Sequence, residues 1–178
     1  MRAYLLAVVL AVPLAAQPSD PVEALASRLG LTDDQADLVA EILTPDDPGS
    51  VWTLAAELLP TLSADQREAL FARPERPSVE ASRRGRRGDR RRGQRDPSRA
   101  AIVRAARDAA LGLDASTSAD LDDVLEGMGR RERMRAVRGG EIPTGVEQLL
   151  TTAQIGVYRA HGALQRHVRR ALRTSRRG

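Results

Sequence analysis

Few side chains in this sequence are able to do acid–base or metal chemistry: there are two histidines, His161 and His167, and no cysteine. Six residues apart on a helix, the two imidazoles point about 120° away from each other, so they do not converge on one ion as an i, i+4 pair would. His161 falls on an apolar stripe and is expected to pack half-buried, whereas His167, among Arg166, Arg169 and Arg170, is expected to be solvated. Without Cys there is neither a thiolate metal site nor a disulfide framework. Carboxylates cluster at Asp46-Asp47 and at Asp120, Asp122 and Asp123, but with no base partner or aromatic-lined pocket beside them they read as solvated helix caps. No Gly-x-Ser-x-Gly elbow, phosphate-cradling loop or His-Glu-x-x-His pattern occurs. The sequence thus offers no catalytic residue, no cofactor site and no metal ligand, and it reads as a binding protein rather than an enzyme.

The charges point the same way. All 28 basic residues are Arg, so every positive charge is permanent and fork-shaped, suited to carboxylates and phosphates. From Pro18 to Arg76 twelve acids face four Arg, while from Arg99 to Gly178 fifteen Arg face nine acids. The acidic front and basic back can attract each other within one molecule or between two. Between them Arg83, Arg84, Arg86, Arg87, Arg90, Arg91 and Arg92 lie in a stretch of Pro, Gly and Arg with almost nothing apolar. Such a stretch cannot offset the entropy of ordering and is expected to be a disordered linker over residues 74–98. Together with Arg166, Arg169 and Arg170 these arginines are candidate contacts for anionic lipid or another polyanion, through counterion release. No RNP motif or aromatic stacking platform accompanies them, which argues against sequence-specific nucleic-acid readout.

The elements that must carry these residues are helices. The apolar content is Ala, Leu and Val, aromatics are nearly absent, and no period-2 alternation of useful length occurs, so the fold class expected is all-α, in short helical hairpins. Apolar stripes run through Val22, Leu25, Ala26 and Leu29, closed by Gly30; through Leu38, Val39, Ile42 and Leu43, closed by the Pro45-to-Gly49 turn; through Val51, Leu54, Ala55, Leu58 and Leu59; and through Ala69 to Phe71. Beyond the linker they run through Ile102, Ala105, Ala106 and Ala109, through Leu121, Val124, Leu125 and Met128, and along Val157, His161, Leu164, Val168 and Leu172. These stripes define helical unit one over residues 18–73 and helical unit two over 99–174. Ahead of them, Arg2, the apolar run Ala3 to Leu14 and the small residues Ala15-Ala16 before Gln17 form a signal-peptide pattern over residues 1–16. Cleavage is expected near Ala16/Gln17, with an N-terminal membrane anchor as the alternative.

One motif recurs. Leu31-Thr32-Asp33-Asp34-Gln35, Leu62-Ser63-Ala64-Asp65-Gln66 and Leu150-Thr151-Thr152-Ala153-Gln154 each set a hydroxyl three residues before a Gln and one after a Leu. This is a capping box: the hydroxyl accepts from the third helical amide while the Gln side chain reaches back to the cap amide. Leu113-Asp114-Ala115-Ser116-Thr117 is a fourth, degraded copy with Asp114 as the cap. The copies fall in two pairs across the linker, which suggests an internal duplication.

On these nine positions and the signal pattern, the chain resembles the LTxxQ-motif family of bacterial periplasmic proteins, which includes Spy- and CpxP-like chaperones, stress regulators and related heavy-metal-resistance proteins. The resemblance implies a periplasmic, all-helical protein, a bent helical hairpin that pairs as a homodimer into a cradle, and unfolded or acidic client proteins held on its concave face. The first two motifs are closer together than is usual in the family, and the Pro45-to-Gly49 turn falls between them. Two other roles fit the same residues: an envelope protein that binds polyanions or membrane surfaces through its Arg tracts, and a structural or assembly subunit.

Overall fold

The computed structural model describes residues 21–44, 46–72, 97–129 and 141–175. The signal-peptide pattern, nearly all of the expected linker and Arg83 to Arg92 lie outside the described residues. The fold is all-α, and the described residues form eight helices: α1 (Pro21–Leu29), α2 (Asp33–Ile42), α3 (Ser50–Thr61), α4 (Ala64–Phe71), α5 (Pro97–Leu111), α6 (Ala115–Gly127), α7 (Thr144–Leu149) and α8 (Thr152–Ser175).

Helix starts follow local chemistry. Pro21 and Pro97 open α1 and α5 at a first helical position, where the missing amide costs nothing; α5 therefore begins two residues inside the stretch expected to be linker. Thr32 and Ser63 complete capping boxes with Gln35 and Gln66. At α8 the amide of Thr151 donates to Gln154 Oε1 at 2.9 Å and the amide of Gln154 donates back to Thr151 Oγ1 at 3.4 Å. Asp114 caps α6 by accepting from the amide of Thr117 at 2.8 Å. Each such cap stabilises its helix by about 1 kcal/mol.

The two units also resemble each other at their helix ends. Gly30 and Gly112 both take φ +60°, the left-handed geometry that ends a helix without steric cost to Gly. The following leucine turns back in the same way in each copy, Leu31 to the carbonyl of Ala26 at 3.0 Å and Leu113 to that of Asp108 at 2.9 Å.

The two units pack together. One core joins Leu25, Leu29, Val39, Leu54, Leu58 and Leu70 of α1–α4 to Ala160, Ala163, Leu164 and Val168 of α8. The other gathers Leu111, Leu121, Val146 and Leu150 around Trp52 of α3. Helix α8 thus completes the core of the first unit, α3 lends its indole to the second, and Val157 packs against both. Full burial of a leucine such as Leu54 or Leu58 contributes about 2 kcal/mol. Of the helices that the Leu-Thr/Ser-x-x-Gln motifs open, α2 and α4 are short, with 10 and 8 residues, and α8 is long, with 24; their apolar stripes pack into the shared cores.

Helix α5 corrects one expected face. Ile102, Ala105 and Ala109 are exposed, and the inward side carries Val103, Ala106, Arg107 and Ala110. Arg107 is only 5% exposed, and its guanidinium fixes the rotation of the helix. Nη1 reaches Asp122 Oδ1 at 2.7 Å, Nε reaches Asp108 Oδ1 at 2.8 Å, and Nη2 reaches the hydroxyl of Ser118 at 3.2 Å. Asp122, expected to be a solvated cap residue, instead bridges Arg107 and Arg104.

Candidate functional site

The motif residues come together in pairs. Gln35 and Gln66 exchange their amides: Gln66 Nε2 donates to Gln35 Oε1 at 2.8 Å, and Gln35 Nε2 lies 3.3 Å from Gln66 Oε1. Each also caps the helix that precedes the other motif. Gln35 Nε2 donates to the carbonyl of Thr61 at the end of α3 (2.8 Å), and Gln66 Nε2 donates to the carbonyl of Gly30 beyond α1 (2.7 Å). Gln35 is 8% exposed and Gln66 half-buried, so this is a satisfied, partly buried amide network. The second unit keeps half of it. Gln154 Nε2 donates to the carbonyl of Leu111 at 2.8 Å, while Thr117, in the place of the fourth Gln, gives its backbone amide and its hydroxyl to the Asp114 cap and, among the described residues, reaches no other helix. Leu31, Leu62 and Leu150 turn into the cores beside these locks. The nine motif positions therefore clamp helix ends, with the leucines and Gln35 turned inward and the cap hydroxyls of Thr32, Ser63 and Thr151 at the surface.

What they position is a cleft of about 340 Å3 where the two units meet. One wall is the loop from Leu43 through Asp47 and Pro48 into the first turn of α3, with Ser50 and Val51; the second is the start of α5, with Arg99 and Val103; the third is α8, with His161, Gln165, Val168, Arg169 and Leu172. The loop is held by Ser50, whose buried hydroxyl donates to the carbonyls of Thr44 and Asp47, and by Asp47 Oδ1, which accepts from the amide of Gly49 at 2.8 Å. Gly49 belongs here for want of a side chain: a Cβ would stand 2.7 Å from the Cβ of Ala106.

Behind the lining, His161 stacks on Trp52 with ring centroids 3.6 Å apart and planes 3° from parallel, and Tyr158 meets the same indole edge-on at 5.6 Å. Burial, with the charge of Arg169 second, lowers the His161 pKa to about 4, so the imidazole is neutral at physiological pH. Its half-buried packing is as expected from the apolar stripe. His167 is not solvated as expected: Nε2 lies 3.1 Å from the carbonyl of Leu70 in the last turn of α4. A carbonyl can only accept, so that nitrogen carries the proton. Burial outweighs this bond and holds the His167 pKa below its usual value, and Arg28, Arg166 and Arg170 push it the same way.

The candidate arginines of α8 separate onto two faces. Arg169 lines the cleft. Arg166 and Arg170 act together with Arg28 of α1 on His167, and the charge of Arg170, after burial, lowers the pKa of Arg28. Arg99 and Arg28 carry no motif and were not singled out by the sequence; only contacts between distant elements bring them to these places. Among the described residues no three His, Asp or Glu side chains group as metal ligands, and no helix is long and apolar enough to cross a membrane. The chain matches no protein-family model, no curated protein and no solved structure.

Proposed function

We propose that this protein is an exported binding protein that holds segments of client proteins, in the manner of an envelope-stress chaperone, and that the cleft between its two helical units is where it holds them. The observation that carries this reading is the lining of the cleft: aliphatic side chains of Leu43, Val51, Val103, Val168 and Leu172 beside the guanidinium groups of Arg99 and Arg169. At about 340 Å3 the space falls at the small end of the range, roughly 300–1,000 Å3, of ligand sites. Such a lining suits apolar side chains carried on a polar backbone. The Leu-Thr/Ser-x-x-Gln segments and the signal-peptide pattern add their resemblance to periplasmic client-binding proteins. The test is aggregation of a denatured model protein followed by light scattering. The protein is expected to suppress it at a few-fold molar excess, and Leu172→Asp, which puts a charge in the lining, is expected to abolish the effect. No suppression by the wild-type protein ends this reading.

A second reading rests on a different surface. Arg28, Arg166 and Arg170 bring three positive charges together beside His167 where α1 meets α8, which supports attraction to anionic headgroups. Binding to vesicles rich in anionic lipid is then expected to weaken steeply with salt and with the pair Arg28→Ser and Arg170→Ser; salt-insensitive binding, or none, excludes it.

A further inference from the structure

The arginines of this chain differ in what they touch. Arg104 and Arg107 are paired with carboxylates, at 2.9 Å and 2.7 Å from Asp122. Arg99 and Arg169 line the cleft, and among the described residues neither side chain makes a hydrogen bond or an ion pair. The carboxamide of Gln165, also in the lining, likewise has no partner among the described residues. The acid of the lining, Asp47, is turned onto the amide of Gly49. The cleft therefore sets two guanidinium groups without a carboxylate partner among the described residues beside a largely aliphatic wall.

We propose that the cleft recognises an acidic apolar peptide segment, the aliphatic side chains lying against Val51, Val103 and Leu172 and a carboxylate pairing with Arg99 and Arg169. The proposal rests on the client-binding reading and adds the chemistry of the client. Charge complementarity carries it: a guanidinium pairs with a carboxylate through parallel N–H···O bonds, the strongest hydrogen bonds such a site can make. A positively charged client would meet both arginines, and a purely apolar one would leave the donors without acceptors. A polypeptide is favoured over a free fatty acid because the lining is a short trough with amide and hydroxyl groups in it, Gln165 and Thr44 among them, rather than an apolar tunnel.

The experiment is fluorescence anisotropy of three labelled peptides with the same aliphatic residues and two Glu, two Gln or two Lys. The Glu peptide is expected to bind about tenfold more tightly than the Gln peptide, the gain expected of about one charge-assisted pair, and the Lys peptide more weakly than either. R99Q and R169Q alter exposed side chains and are expected to fold, with helical circular dichroism as the control. Each is expected to bring the Glu peptide down to the level of the Gln peptide and to leave the Gln peptide unchanged. A second readout is the His161 imidazole, whose NMR titration is expected to move up when a bound carboxylate offsets the charge of Arg169. Equal binding of the Glu and Gln peptides overturns the carboxylate assignment and leaves client binding standing. Binding of none of the three overturns both. Binding of decanoate, followed through the His161 resonances, with no peptide binding replaces the peptide by a fatty acid and overturns the proposal as stated.

Discussion

Replacing Gln35 by Ala tests whether the recurring motif locks helices to one another or merely starts them. Its side chain gives the Thr61 carbonyl a donor at 2.8 Å, accepts from the Thr32 amide at 3.0 Å and from Gln66 Nε2 at 2.8 Å, and lies 3.3 Å from Gln66 Oε1. At about 1 kcal/mol net per good bond, with a carbonyl and an amide left short of partners, Gln35→Ala is expected to cost about 3 kcal/mol. Gln66→Ala loses donors to Gly30 at 2.7 Å and to Gln35, and the acceptor for the Ser63 amide at 2.9 Å; half-exposed, it is expected to cost about 2 kcal/mol. The two bonds between the glutamines are lost in either variant. The double variant should therefore fall about 1 kcal/mol short of the sum of the singles. Gln154→Ala shares no hydrogen-bond partner with them, since it serves Leu111 and Thr151, and should add to Gln35→Ala within about 0.5 kcal/mol. Urea unfolding followed by helical circular dichroism measures all four terms. A Gln35→Ala cost below about 1 kcal/mol, the value of an isolated cap, or strict additivity with Gln66→Ala, would refute the lock.

The other predictions address the second unit and its histidine. Arg107→Met should cost about 3 kcal/mol in the same assay because it leaves the partly buried Asp108 without its cation and Asp122 with Arg104 alone, whereas Arg104→Met, at 54% side-chain exposure, should cost about 1 kcal/mol or less. An unfolded histidine takes its proton near pH 6.5 and His161 only near 4, so the unfolded chain binds more protons between those values; this share of the stability is complete above pH 6.5 and lost as pH falls toward 4. The slope is at most about 1.4 kcal/mol per pH unit for one proton; His167, shifted in the same direction, adds to it, and His161→Phe should make a series of urea curves between pH 7 and 4 visibly flatter. Thr117→Gln gives the fourth motif copy the side chain it lacks and should raise stability by about 0.5–1 kcal/mol through a completed capping box; a loss would mean that the second unit does not share the geometry of the first.

The sequence made local structure legible and left the long-range structure obscure. All four expected helix starts are where the hydroxyl, Asp and Gln spacing put them, because capping involves residues three apart and needs no knowledge of the rest of the chain. The second duty of each glutamine, to close a helix 26 to 43 residues away, leaves no trace in that spacing. Arg107 shows the same limit from the opposite side. An arginine on a surface-like helix reads as solvated, and only Asp122 fifteen residues later makes its burial tolerable and turns α5 by about one residue from its apparent apolar face. His167 was misplaced for want of one partner, the Leu70 carbonyl. Of the cleft, Arg169 was among the candidate arginines, while Arg99 was an unremarked residue beside the expected linker.

These particulars explain why an open space lies at the junction of the two units. Inside the first unit, reciprocal glutamines draw the end of α1 and the end of α3 onto each other's motif, and the leucines beside them close the core. Helix α3 is thereby fixed at its C-terminal end, and its N-terminal end is pressed on α5 at Gly49, where a single methyl group would collide with Ala106. Helix α8, whose apolar stripe serves both cores, cannot follow α5 around that contact without uncovering Leu164 or Val168. The loop between α2 and α3 is braced by Ser50 and Asp47 against its own backbone and so does not fill the gap. Two well-satisfied units meeting along one shared helix leave a trough between three rigid walls, and a site on rigid elements needs little ordering when a ligand enters. Arg99 and Arg169 in its lining are exposed and make no ion pair among the described residues, so the proposed pairing with a client carboxylate would break no contact of the fold.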